Sequence, residues 1–180
     1  MEILTRALCG VVLTTVVMAG SPSFAATSIG EKTPAVTLST LAGEEVDLED
    51  MRGEVVVLDF WATWCPPCVA QLEALNEYLT DNENSGVVVL AATIDDDLAA
   101  VAAYLERKFP GARFRVVHDP GSAALAEFGA DGIPALYVIG PDGVVRHSHF
   151  GPGGGAGLAE IVETLSGKGG PSALEGRVVE

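Results

Sequence analysis

Basic residues and cysteines are scarce in this sequence of 180 residues. Lysine and arginine together number 10 against 25 aspartates and glutamates, which gives a formal net charge of −15. Nucleic acids and anionic lipid surfaces are bound through basic patches, so this balance argues against both as main partners. The three cysteines, Cys9, Cys65 and Cys68, are too few for a disulfide scaffold and for a zinc site of four thiolates. Their odd number requires an explanation.

The uncharged run near the start, residues 7–20, is shorter than the roughly 20 residues of a membrane-spanning helix. It fits the apolar core of a secretion signal, because Arg6 precedes it and Ser23–Ala25 offers small residues where a signal peptidase reads. We therefore predict a signal peptide at residues 1–25, a periplasmic or other extracytoplasmic location, and no membrane insertion of the mature chain. An uncleaved anchor or a buried helix is the alternative. Cleavage would remove Cys9 and leave one cysteine pair.

The apolar residues that follow are periodic and predict alternating strands and helices. Continuous apolar runs at residues 55–60 and 87–94 are typical of strands buried on both faces. A helical stripe follows each run, at residues 68–79 and 98–109. Shorter patterns predict a hairpin at residues 35–48, a strand at 114–117, a helix at 122–128, a second hairpin at 135–150 and a helix at 158–165.

This order of elements predicts an α/β fold with a mixed central β-sheet, flanked by helices and preceded by an N-terminal β-hairpin. One domain at residues 26–166 accounts for all of these elements. The glycine-rich, polar residues 167–180 are predicted to form a flexible C-terminal tail.

The segment Cys65-Pro66-Pro67-Cys68 is the most specific chemical signal. It follows a predicted buried strand and opens a predicted helix, the context in which a Cys-x-x-Cys pair is typical of thiol–disulfide exchange. At the helix N-terminus, Cys65 would lie near unpaired N–H groups and the positive end of the helix dipole, and both stabilise the nucleophilic thiolate. Cys68, one turn further on and more buried, is placed to attack a mixed disulfide on Cys65.

A structural disulfide and half of a metal site are the alternatives for this cysteine pair. A metal site needs more ligands, and besides the two thiols the mature chain offers the histidines His118, His147 and His149. Haem attachment through this motif is excluded because Val69, and not a histidine, follows Cys68. We predict neither a metal nor a cofactor.

Several segments resemble one known family. Residues 58–68 (LDFWATWCPPC) resemble the active-site stretch of thioredoxin, and residues 41–53 look like the lead-in of the TlpA/ResA-like branch of exported thioredoxin-fold proteins. Residues 128–136 resemble the cis-proline segment of that family, and residues 141–143 resemble its hairpin turn. The resemblance covers residues 33–165 and implies a thioredoxin-like fold.

The resemblance also implies roles for individual residues. Cys65 is expected to be the attacking thiol and Cys68 the resolving thiol. Pro134 is expected to be a cis-proline that faces them, since a cis X–Pro bond usually marks a functional turn. Ile133 would offer backbone groups to an incoming peptide by short strand pairing. Trp64 is expected to cover Cys65 and to complete a substrate-binding set with Ile133 and Pro134.

Asp59 interrupts the apolar run of residues 55–60. A buried carboxylate is costly unless it is paired or protonated, so burial should raise its pKa; the alternative is an exposed acid at a strand edge. In thioredoxin the matching aspartate lies behind the resolving cysteine and exchanges protons with it. The resemblance therefore implies that Asp59 is the general acid and base for Cys68.

Three positions depart from the family pattern. Gln71 stands where many relatives have glutamate, Glu73 where many have a helix-kinking proline, and Ala91 at the likeliest match for the lysine of thioredoxin. Asp59 is therefore expected to act alone, without a second acid and without a lysine.

Three weaker signals have structural interpretations. The acidic run Asp95–Asp97 precedes a helical stripe and is interpreted as helix capping. The glycine-rich residues 151–155 lack the lysine and hydroxyl residue of a phosphate loop and are interpreted as a flexible connection. His147 and His149 are interpreted as surface residues of a hairpin strand.

Trp61 lies near the cysteine pair, and a role in packing explains its position as well as a role in the site does.

The resemblance implies an exported thiol–disulfide oxidoreductase whose partners are extracytoplasmic proteins with thiols or disulfides. The histidine that lies between the cysteines of the oxidant DsbA is missing, which favours a reductant, for example of apocytochrome c in cytochrome c maturation. The electrons would come from a membrane donor, and we expect a monomer. The alternatives are a disulfide oxidase or isomerase, a peroxidase of the peroxiredoxin type, and a non-catalytic copper metallochaperone.

Overall fold

The computed structural model describes residues 27–83 and 85–165. The predicted signal peptide, residues 1–25, and the predicted tail, residues 167–180, lie outside the described residues. None of the described helices combines the length and the apolar character that crossing a membrane requires.

In the described ranges, seven strands hydrogen-bond into a single sheet. They are β1 (Thr37–Thr40), β2 (Glu45–Asp47), β3 (Val55–Trp61), β4 (Val87–Thr93), β5 (Arg115–His118), β6 (Ala135–Ile139) and β7 (Val145–Phe150). Their order across the sheet is β2-β1-β5-β4-β3-β6-β7. The central strands β3, β4 and β5 run parallel, whereas the pairs β3–β6, β6–β7, β1–β5 and β1–β2 are antiparallel. The sheet is mixed, as predicted, and the N-terminal hairpin extends it by pairing with β5.

The part of the chain that the structure describes also forms four α-helices. They are α1 (Pro66–Asp81), α2 (Leu98–Lys108), α3 (Ala123–Glu127) and α4 (Leu158–Leu165). Helix α1 begins two residues before the predicted start at Cys68. Its first two positions are prolines, which fit there because the N–H groups of a first helical turn have no partner within the helix. This early start places Cys65 directly at the helix N-terminus.

Strand β3 separates two apolar layers. Its side chains alternate, so that Val56, Leu58 and Phe60 join one buried cluster while Val57 and Trp61 join the other. The first cluster also contains residues of α3, and the second contains residues of α1, α2 and α4. The alternation places the residue between Leu58 and Phe60 on the α1 side of the sheet, under the helix that carries the cysteine pair.

Candidate active site

Cys65 and Cys68 form a disulfide at the N-terminus of α1, with 1.98 Å between the Sγ atoms. Cys65 is the N-cap residue, and the backbone N–H of Cys68 donates to its Sγ at 3.3 Å. Because Pro66 and Pro67 have no N–H, the Cys68 amide is the first donor that the helix presents to this sulfur. That donor and the helix dipole both stabilise a thiolate on Cys65 in the reduced protein.

The two sulfur-bearing residues differ in their access to solvent. Cys65 retains 6% of its surface, whereas Cys68 is fully buried, as the sequence predicted. Of the two residues, Cys65 is therefore the one that keeps some surface towards an approaching protein disulfide.

Asp59 lies on the α1 side of β3 and is fully buried. Its neighbour on β4 is Ala91, so no lysine pairs with it from that strand. Burial raises the pKa of the Asp59 carboxyl to about 8, and a hydrogen bond from Gln71 offsets part of that rise. The predicted burial is confirmed, and the alternative interpretation, an exposed acid at a strand edge, is wrong.

Gln71 connects Asp59 to the glycine-rich segment that follows β7. Its Nε2 donates to Asp59 Oδ1 at 2.5 Å, and its Oε1 accepts the backbone N–H of Gly154 at 2.9 Å. A backbone N–H can only donate, so the Gly154 contact fixes the orientation of the Gln71 amide and directs its NH2 group at Asp59. Asp59 Oδ2 is buried and has no partner among the described residues, which makes it the oxygen free to carry the proton.

One sequence interpretation is extended by this arrangement and another is corrected. Asp59 was expected to act without a second acid and without a lysine, and its hydrogen-bond partner is the neutral amide of Gln71, three residues after Cys68 and on the same helix face. Residues 151–155 were expected to be a flexible connection, but Gly154 is buried and hydrogen-bonded to α1. A Cβ atom on Gly154 would lie 2.8 Å from Gln71 Oε1, so a larger residue at this position would displace the Gln71 amide from its present place.

The peptide bond between Ile133 and Pro134 is cis, as the resemblance implied. The N–H of Gly151 donates to the carbonyl of Pro134 at 2.8 Å, which ties the end of β7 to this turn. The partly buried Ile133 packs against both apolar clusters, including the cluster that contains Cys65 and Cys68. The segment therefore lies at the edge of the sheet where β3 leads into the cysteine pair.

The two tryptophans near the cysteines have different environments. Trp64, which directly precedes Cys65, is 65% exposed. Trp61 is fully buried and packs against the Tyr104 ring, with 6.3 Å between the ring centroids. This environment agrees with the interpretation of Trp61 as a packing residue. Trp64 therefore offers an apolar surface beside the accessible sulfur.

Sequence reasoning missed an anchor for the loop before Cys65. The buried carboxylate of Asp95 accepts hydrogen bonds from the Thr63 N–H and hydroxyl, both at 2.9 Å, and from the Thr93 hydroxyl at 2.7 Å. Helix capping was the interpretation for the whole acidic run, but only Asp97 caps α2. The detectable signal was the position of Asp95 just after a buried parallel strand, since the carboxyl ends of β3 and β4 share one edge.

The histidines of β7 lie on an edge strand and are partly buried. Burial and the neighbouring His149 lower the pKa of His147. His149 Nε2 donates to the carbonyl of Pro152 at 3.0 Å. In the part of the chain that the structure describes, no three histidine, cysteine or acidic side chains are grouped as metal ligands.

Comparison with known proteins gives a consistent result. Residues 29–148 match the AhpC/TSA family. The chain is 30% identical over 123 residues to the thiol-disulfide oxidoreductase ResA of Bacillus thuringiensis, covering 68% of this chain and 70% of that protein. It is 33% identical over 121 residues to ResA of Geobacillus thermodenitrificans, covering 67% and 68% respectively.

Solved structures agree with this assignment. A protein from Chlorobium tepidum, assigned as the thiol:disulfide interchange protein DsbE, superposes with a TM-score of 0.70 at 28% identity, over 78% of this chain and 99% of that one. A thioredoxin family protein from the same organism superposes with a TM-score of 0.64 at 22% identity, over 78% and 99%, and shows the shared fold. The chain therefore belongs to the AhpC/TSA family and is a thiol-disulfide oxidoreductase of the ResA and DsbE type with a thioredoxin-like fold.

Proposed function

We propose that this protein is exported and reduces disulfides of extracytoplasmic proteins, with apocytochrome c as the substrate class. The observation that carries the proposal is the asymmetry of the disulfide: Cys65 at a helix N-terminus keeps some exposed surface and is joined to a fully buried Cys68. A membrane-bound donor would return the pair to the dithiol form after each turnover.

The reaction begins with the reduced pair. The Cys65 thiolate attacks one sulfur of the substrate disulfide, and the other substrate sulfur leaves as a thiolate. Cys68 then loses its proton to Asp59 and attacks Cys65 Sγ, which forms the Cys65–Cys68 disulfide and releases the second substrate thiol. Two electrons pass from the pair to the substrate, and Trp64, Ile133 and Pro134 hold the substrate chain during the exchange.

The small number of backbone donors around Cys65 favours reduction over oxidation of substrates. An oxidant of the DsbA kind has its reduced form stabilised, which requires donors around the attacking thiolate. Pro66 and Pro67 remove two helix N–H donors, and Cys65 Sγ accepts one backbone N–H, that of Cys68. One donor and the helix dipole stabilise the Cys65 thiolate less than several donors would, which favours transfer of its electrons to the substrate.

A peptide with the haem-attachment pattern Cys-x-x-Cys-His, oxidised to its disulfide, tests this function. The reduced protein is expected to convert it to the dithiol with one Cys65–Cys68 disulfide formed per peptide, as counted by mass spectrometry. The oxidised protein is the matched control and should leave the peptide unchanged. Consumption of hydrogen peroxide or stoichiometric copper binding, without reduction of the peptide, would contradict the proposal and support the peroxidase or the metallochaperone.

A further inference from the structure

The glycine-rich run after β7, residues 151–155, reaches the interior of the protein at Gly154. Gly154 is buried, whereas Pro152 and Gly153 before it are exposed. The N–H of Gly154 donates to Gln71 Oε1 at 2.9 Å. Through this bond the run contacts the helix that carries the cysteine pair, on the side that faces the buried acid.

The Gln71 amide can face Asp59 in two ways, and each favours a different protonation state of the acid. Its NH2 group stabilises an ionised carboxylate by donating to it, whereas its carbonyl oxygen would accept a hydrogen bond from a protonated carboxyl. The N–H of Gly154 selects the first orientation, because it requires Oε1 as its acceptor. Gly154 therefore favours the form of Asp59 that can take up a proton.

The neighbours of Asp59 in the described part of the chain carry no charge. On the adjacent strands they are Ala91 of β4 and Leu136 of β6, and neither titrates. On the buried side of α1, Cys68 does not ionise while it is joined in the disulfide. Burial raises the pKa of Asp59 and the hydrogen bond from Gln71 lowers it. The orientation of one amide is therefore the adjustable influence on this acid.

His149 of β7 holds the glycine-rich run in the position that this contact needs. Its Nε2 donates to the carbonyl of Pro152 at 3.0 Å, two residues before Gly154. A second proton on the ring would bind at Nδ1 and would leave this donor in place, so the bond does not depend on the charge of the ring. The ring also lies beside Gly154, since a Cβ atom there would be 3.2 Å from His149 Cδ2.

We propose that His149 and Gly154 are positioning residues for Asp59. They hold the Gln71 amide with its NH2 group towards the acid, which keeps the acid ready to accept the proton that Cys68 loses. Neither residue exchanges a bond with the substrate. The inference rests on the proposed function, with Asp59 as the base, and adds to it a control that starts at the edge strand of the sheet.

The test follows the carboxyl carbon of Asp59 by NMR in the oxidised protein while the pH is raised, with a wild-type midpoint near pH 8. His149→Leu removes the donor to Pro152 and should raise the midpoint by about half a pH unit to one unit. His149→Gln retains an N–H donor and should keep the wild-type midpoint. His147→Leu is the matched control, because His147 lies on the same face of β7 and, among the described residues, makes no hydrogen bond to the glycine-rich run.

Gly154→Ala is the second variant, and it acts on the Gln71 amide directly. Its Cβ atom would lie 2.8 Å from Oε1, so the amide is displaced and the midpoint should rise by about one pH unit. In the reduced protein, Gly154→Ala and His149→Leu should slow resolution of the mixed disulfide about three- to tenfold at pH 7. The rate that each reaches at high pH should stay unchanged, because only the ionised fraction of Asp59 falls.

A wild-type midpoint in both His149→Leu and Gly154→Ala would overturn the positioning role, whatever their activity. A rise in His147→Leu or His149→Gln as large as that in His149→Leu would also overturn it, because a general disturbance of β7 would then be the cause. If the midpoints shift as expected but the resolution rate of the wild type shows no inflection with pH, the role of Asp59 as the base fails and the positioning contact stands.

Discussion

Cys65→Ser is expected to lower disulfide-reductase turnover to the rate of uncatalysed exchange, whereas Cys68→Ser is expected to stop after the first attack. The reason is the difference in access: substrate reaches the sulfur of Cys65, and only Cys65 presents a mixed disulfide to the buried Cys68. Serine is too weak a nucleophile to replace a thiolate at neutral pH. Steady-state reduction of the peptide disulfide measures the first effect, and mass spectrometry of the Cys68→Ser adduct measures the second.

Cys9→Ser in the full chain is the matched control, because it removes a cysteine from the predicted signal peptide and should leave turnover unchanged. A covalent adduct that forms in Cys65→Ser but not in Cys68→Ser would reverse the two roles. Turnover of Cys65→Ser at the wild-type rate would remove the pair from the mechanism.

Asp59→Asn is expected to slow the resolution of the mixed disulfide by roughly a hundredfold at pH 8, the scale of general-base catalysis. Asp59 accepts the Cys68 proton only when it is ionised, and its pKa is about 8. The wild-type rate should therefore rise with pH and level off above about pH 8. The variant should lack this inflection, as followed by stopped-flow release of the second substrate thiol.

Gln71→Leu separates the role of the acid from that of its partner. Loss of the Gln71 hydrogen bond raises the pKa of Asp59 further, so the inflection should move to higher pH and not disappear. Gln71→Glu, which introduces the residue common in the relatives, places a second carboxyl beside Asp59. It should also move the inflection to higher pH, because a neighbouring negative charge raises the pKa of Asp59. Identical pH profiles for wild type and Asp59→Asn would contradict the assignment of Asp59 as the base.

The same carboxyl controls how stability depends on pH. The folded protein keeps the Asp59 proton up to about pH 8, while the unfolded chain releases it near pH 4. Between these values the unfolded state binds fewer protons, so the free energy of unfolding falls as the pH rises. Asp59→Asn removes this pH dependence. The free energy of unfolding of the variant, relative to that of the wild type, should therefore rise by about 4 kcal/mol between pH 5 and pH 8. Urea unfolding at both pH values measures the change, and a constant difference would contradict it.

The sequence predicted features that are encoded locally. Hydrophobic periodicity predicted the apolar run of β3 and the helix that begins at the Cys-x-x-Cys pair. The position of a single acidic residue within that apolar run predicted the burial of Asp59. The cis bond at Pro134 was predicted from the resemblance, and both hairpins were predicted from their turn residues.

The contacts that complete the site could not be predicted, because they join residues far apart in the chain. Gly154 and Gln71 are 83 residues apart, and Thr63 and Asp95 are 32 apart. A glycine-rich run and an acidic run each have a common local interpretation. Only the contact of α1 with the segment after β7, and the pairing of β3 with β4, select a different one.

The reduction potential of the Cys65–Cys68 pair tests the central claim, a disulfide reductant, most directly. It is measured by equilibrating the purified protein with glutathione or dithiothreitol buffers and quantifying the reduced fraction by alkylation. Because the two prolines leave Cys65 with a single backbone donor, we predict a potential more negative than the roughly −180 mV of protein disulfide isomerase. A potential at or above that value, towards the roughly −120 mV of DsbA, would contradict the account and make the protein an oxidant of its substrates.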